Sequence, residues 1–150
     1  MGQQQLLLLV LGIVVVGLAV VVGIQAFGEN QKKANADAIT NDVIRIASDA
    51  QAWSLKPTAF GGGNGSFANV TFERLGYAMS GTGIDGVYTN LNASTSTGGA
   101  NSGYKLSAPG TNGVTITGCN ATQKNRVQAV VSGTSPNQIA TTLTAITACS

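Results

Sequence analysis

The chain has 150 residues, eight basic and six acidic side chains, a net charge of +2 and no histidine. That length suits one domain of ordinary size. The lack of a basic run or an arginine-and-aromatic surface argues against nucleic acid as a partner. The missing histidine removes the commonest general base and the commonest metal ligand.

The first element is apolar. Leu6 to Ile24 contains nothing but Leu, Val, Ile, Ala and Gly. As a helix it extends about 29 Å, the thickness of a bilayer's hydrocarbon. Three readings compete for it. A cleaved secretory signal needs a basic leader and an apolar stretch of about 7–15 residues. Met1-Gly2-Gln3-Gln4-Gln5 has no basic side chain and the apolar run is too long, so that reading fails. An ordinary anchor meets a conflict, because Lys32 and Lys33 are the nearest basic residues and would hold the rest of the chain in the cytoplasm. Removal of a short basic leader from in front of Met1 would resolve it, and a Met retained before the small Gly2 fits that history. The third reading is assembly. Gly12, Gly17 and Gly23 place small surfaces along the helix, where they permit close helix packing or local loss of helix.

From Asn30 to Ser54 the helix is expected to continue with a different pattern. Ala36, Ile39, Val43, Ile46, Ala50 and Trp53 recur at steps of three and four, one apolar stripe on a polar helix. Lys33 with Asp37, Asp42 with Arg45, and Arg45 with Asp49 fall at the spacing of helical ion pairs. Pro57 should end the helix just after Leu55. Gly23 and Gly28 are the expected bends. The stripe covers only two and a half heptads, so packing on a following sheet is preferred over a coiled coil.

These features together resemble the type IV pilins and their pilin-like relatives. The resemblance rests on the uncharged start Met1 to Gln5, the apolar run Leu6 to Ile24 and the amphipathic extension to Trp53. The stretches Asn35-Ala36-Asp37-Ala38-Ile39 and Asp49-Ala50-Gln51-Ala52-Trp53 are similar to bacterial sequences of that class. It covers about the first 55 residues. In that family a prepilin peptidase removes a basic leader, the new N-terminus is methylated, and an assembly machinery polymerises subunits through the apolar helix. The resemblance thus implies an extracellular helical filament of identical subunits, held in the cytoplasmic membrane before assembly. Met1, Gln5, Leu6, Val10, Val14 and Leu18 would be the assembly residues, with Gly17 and Gly23 bounding any segment that melts. One departure concerns the fifth residue, where the family usually has a glutamate that neutralises a neighbouring amine. Gln5 can accept a hydrogen bond from that amine but cannot cancel its charge. The family's proline near the membrane exit is also absent.

Beyond Pro57, Gly61-Gly62-Gly63-Asn64-Gly65 reads as a flexible connector, and Phe67 to Tyr77 as either a short helix or an extended segment. Strand-like runs follow at Val87 to Leu91, Tyr104 to Ser107, Val114 to Cys119 and Val127 to Val131, separated by turn-rich stretches. Ile139 to Ala148 is a candidate fifth strand. The fold class expected is α+β, a helix over about 1–54 whose second half packs on an antiparallel meander of four or five strands. The domain division expected is 1–28 for the apolar helix and 29–150 for the head, with 29–55 the amphipathic half and about 67–150 the β-rich region. Asn92 to Asn101 reads as a surface loop. In an exported head Cys119 and Cys149 are expected to form a disulfide. Closing that loop of about 30 residues would add roughly 3–4 kcal/mol.

Chemical motifs are sparse. Gly81-Thr82-Gly83-Ile84-Asp85-Gly86 matches a dinucleotide fingerprint but leads into a strand-like run where the fingerprint needs a helix. Asp37, Asp42 and Asp49 are spaced for a helix face, and no nucleophile–base pair stands out. We expect no catalytic site, cofactor or metal. Asn64, Asn69, Asn92 and Asn120 each begin an N-x-Ser/Thr sequon and are candidate glycosylation sites. The function expected is a structural filament subunit. The alternatives are a pseudopilin of a type II secretion-like machine, or a membrane-anchored adhesin or carbohydrate-binding domain.

Overall fold

The computed structural model describes residues 2–77, 79–80, 90–91, 103–107, 109–120 and 124–145. One helix, α1, runs unbroken from Gly2 to Leu55. Among the described residues six strands follow: β1 (Met79–Ser80), β2 (Asn90–Leu91), β3 (Gly103–Ser107), β4 (Val114–Asn120), β5 (Asn125–Val131) and β6 (Ile139–Ala145). β1 and β2 form a small antiparallel ladder, and β3-β4-β5-β6 a four-stranded antiparallel meander. The fold is α+β, with the second half of α1 packed on the sheet. The chain divides into two compact units, Met1–Lys33 and Ala34–Ser150, with the boundary inside α1.

Every residue of the expected stripe is buried: Ala36, Ile39, Val43, Ile46, Ala50 and Trp53. Ala47, Gln51 and Ser54 join them and broaden the buried face. Opposite lie the inward rows of the sheet, Leu106–Ile116–Ala129 and Tyr104–Gly118–Val127, brought into line by the strand register. Alternation along β5, with Asn125, Val127, Ala129 and Val131 buried, is the period-two pattern of a sheet with one face on the core. Helix and sheet approach closely at Gly118. A Cβ there would sit 2.5 Å from Ile39 Cγ2 and 2.8 Å from Val43 Cγ2.

The glycine-rich stretch after Pro57 is not the loose connector expected. A helix leaves its last carbonyls unpartnered, and this loop supplies the donors. Gly63 N–H donates to Trp53 O (3.1 Å), Gly65 N–H to Ser54 O (2.6 Å) and Asn64 N–H to Lys56 O (3.0 Å). The Trp53 indole donates back to Gly61 O at 2.9 Å. Glycine is required at Gly61 and Gly65, whose φ values are +76° and +88°. Phe67 to Tyr77 is neither helix nor strand but a run of turns that inserts Phe67, Val70, Phe72 and Tyr77 into the core. Phe72 and Tyr77 meet edge to face, with ring centroids 6.5 Å apart.

Three of the expected strands match within two residues: β3, β4 and β5. The candidate fifth strand is β6, described over Ile139–Ala145 and paired with β5, and the remainder of that run lies outside the described residues. Of the run Val87 to Leu91, Asn90 and Leu91 form β2, and the rest lies outside the described residues. The Asn92–Asn101 stretch, the 81–86 motif, Met1, Asn92 and Cys149 also lie outside them.

Candidate assembly surface

Physical chemistry separates the two halves of α1. In Leu6 to Ile24 all fifteen large aliphatic side chains are more than half exposed, including Leu6 (67%), Val10, Val14 and Leu18. Leaving each in water forgoes about 1.5–3 kcal/mol, which over fifteen side chains is on the order of 20–45 kcal/mol. That exceeds the net stability of about 5–15 kcal/mol of a typical domain. The segment is long and apolar enough to cross a membrane, with a mean hydropathy of 3.2 over its best window.

The surface of this half is uncharged from Gly2 through Gly28, with Glu29 the first ionisable side chain. Gln3, Leu6, Leu7, Val10, Leu11 and Val14 line a shallow groove along one side of the helix. Gln5, Leu6, Val10, Val14 and Leu18 are all exposed. Gly12, Gly17, Gly23 and Gly28 have no atom within 4 Å of where a Cβ would stand, so no contact with a described neighbour requires them. The helix continues through all four, and in the single chain Gly17 and Gly23 bound no melted segment.

The second half carries a polar clasp that helical spacing shows only in part. The Arg45 guanidinium is attracted to the Asp49 and Asp42 carboxylates, as the spacing implies. Asp42 also accepts a 2.6 Å hydrogen bond from the Tyr104 hydroxyl. Asp49 accepts from Tyr77, whose hydroxyl also receives a bond from Arg45 Nε at 3.3 Å. The Arg45 guanidinium lies 5.4 Å from the centroid of the Tyr77 ring. The two carboxylates therefore tie helix to head through tyrosines. Burial first, and the Asp42 bond second, push the Tyr104 phenol well above its ordinary pKa. Burial and the Asp49 bond do the same, less strongly, for Tyr77. Charges flanking an apolar stripe signal a wet border, but nothing in their spacing selects tyrosines 28 and 62 residues away over neighbours on the same helix.

Gln51 is the other polar clamp. Its buried amide donates to Gly133 O and Ser135 O, both at 2.8 Å, and pins the β5–β6 connection to α1. Of the sequon asparagines, Asn64 and Asn69 are exposed. Asn120 is 2% exposed and sits in β4 against β5, so its amide is closed to a glycosyltransferase in the folded head. Cys119, near the end of β4, is buried and disulfide-bonded.

No family model, curated protein or solved structure matches this chain.

Proposed function

We propose that the protein is the structural subunit of an extracellular, type IV pilus-like helical filament, polymerising through the apolar half of α1. The observation carrying this reading is the exposed, uncharged surface from Leu6 to Ile24. In the membrane that surface is solvated by lipid; in a filament, copies of the same helix replace the lipid. Because lipid and protein core are about equally apolar, the transfer depends on packing and hydrogen bonding. Four glycines that no contact with a described neighbour requires suit such packing, each costing a helix about 1 kcal/mol relative to alanine. Pairing of Cys119 with Cys149 would tie the last residues of the sequence to β4.

Val14→Asp or Val15→Asp tests the reading, since either buries an unpaired carboxylate in the filament core. Cell-surface filaments counted by negative-stain imaging should disappear in both variants. Filaments of normal number and length with either substitution would refute the proposal.

A further inference from the structure

β4 and β5 run alongside the second half of α1 in a fixed sense. Gly118, opposite Val127, meets Ile39 and Val43, whereas Gly133 O, beyond β5, accepts from the Gln51 amide. The β4–β5 turn therefore lies at the Ala34 end of the packed helix. Lys124 precedes Val127 by three residues, about 10 Å of extended chain and close to seven residues of helix rise. That sets it level with the first residues of the packed segment. Lys124 is exposed, in a left-handed turn conformation with φ +56°. Arg126 is half-buried on the face of β5 away from the core.

Ten residues separate Ala34 from Ile24, the end of the apolar run. As helix they span about 15 Å. Headgroups occupy about 5–8 Å outside the hydrocarbon, and long basic side chains extend toward them. Connectivity alone thus keeps this end of the head near the headgroups whenever Leu6 to Ile24 lies in lipid. Charge is uneven in the same sense. Lys32, Lys33, Lys124 and Arg126 outnumber Glu29 and Asp37, and these groups hold the chain's entire net charge of +2, since the other charged side chains cancel.

We propose that Lys124 and Arg126 dock the β4–β5 turn on anionic phospholipid headgroups while α1 is embedded in the membrane. Lys32 and Lys33 add positive charge beside the same lipid surface, and Glu29 and Asp37 subtract from it. Each basic side chain near an anionic leaflet strengthens association about fivefold. So few groups suffice because α1 already tethers the head, which makes docking intramolecular. The contact requires α1 in lipid and does not require polymerisation.

The test uses the full chain reconstituted in vesicles of phosphatidylcholine alone, or of phosphatidylcholine with the anionic lipid phosphatidylglycerol. A water-soluble amine-acylating reagent is read by peptide mass spectrometry as labelling of Lys124 relative to Lys56, an exposed lysine just past the other end of the packed helix. That ratio should fall at least about threefold in the anionic vesicles. Salt at about 1 M, where charges are screened beyond about 3 Å, should restore it. Arg126→Gln, with the fold checked by circular dichroism, should recover about half of the lost labelling. A ratio equal in the two kinds of vesicle, protection that survives high salt, or protection confined to Lys32 and Lys33 would overturn the proposal.

Discussion

Residues 2–33 and 34–55 share one helix and one set of backbone hydrogen bonds, yet they solve opposite problems. The first stretch is apolar on every side from Leu6 through Ile24 and buries nothing. The second is polar on most of its circumference and buries one stripe to exposures of a few per cent. Secondary structure is thus uninformative about role here; the distribution of apolar side chains around the axis carries it. An all-round apolar helix needs a surrounding apolar medium, whereas a one-sided helix needs a single sheet.

The comparison breaks most sharply if the same substitution behaves alike in both halves. Val43 is 0% exposed, and Val43→Asp places a carboxylate between helix and sheet. The expected loss is several kcal/mol, enough to unfold the head by circular dichroism and protease resistance. Val14→Asp should leave both measurements at their wild-type values, because its effect falls on assembly. If Val14→Asp also unfolded the head, the two halves would not be the separate units described.

A smaller effect is expected at the close helix–sheet approach. Gly118→Ala must displace Ile39 or Val43 and should cost about 1–3 kcal/mol, with Gly118→Val costing more. Chemical denaturation of the two variants would show that order; equal or negligible losses would mean the seating is looser than the geometry.

Tyr104→Phe sharpens the polar side of the same half. It removes the bond to Asp42 and should lower stability by about 1–2 kcal/mol in chemical denaturation, with filament assembly intact.

The tyrosines also set a pH dependence. Both phenols have raised pKa values in the folded head. Their contribution is therefore complete below the unfolded value of about 10. Above it the unfolded chain loses phenolic protons that the folded head retains, and stability falls as pH rises towards the folded values. Melting temperature should hold on the neutral side and drop from about pH 10 upward. The drop should be shallower in Tyr104→Phe.

Much of this was legible in the residues. Six positions at three-and-four spacing named the buried stripe, Pro57 marked the helix end, and strand-like runs located β3 to β6. What escaped was long-range. Gly61 to Gly65 looks loose because glycine is permissive, but the same permissiveness lets the loop fold back onto the carbonyls that α1 leaves open. The charges at Asp42, Arg45 and Asp49 satisfy a local pairing rule, and the tertiary fold adds phenols that this rule does not name.

The most direct test concerns what surrounds Leu6 to Ile24 in the mature state. The native full chain should be recovered from cells by shearing, without detergent, and imaged by negative stain with peptide mapping to confirm its identity. The account predicts lipid-free polymers made of this chain. Recovery solely as individual polypeptides embedded in bilayers, with no polymer under any growth condition, would contradict it.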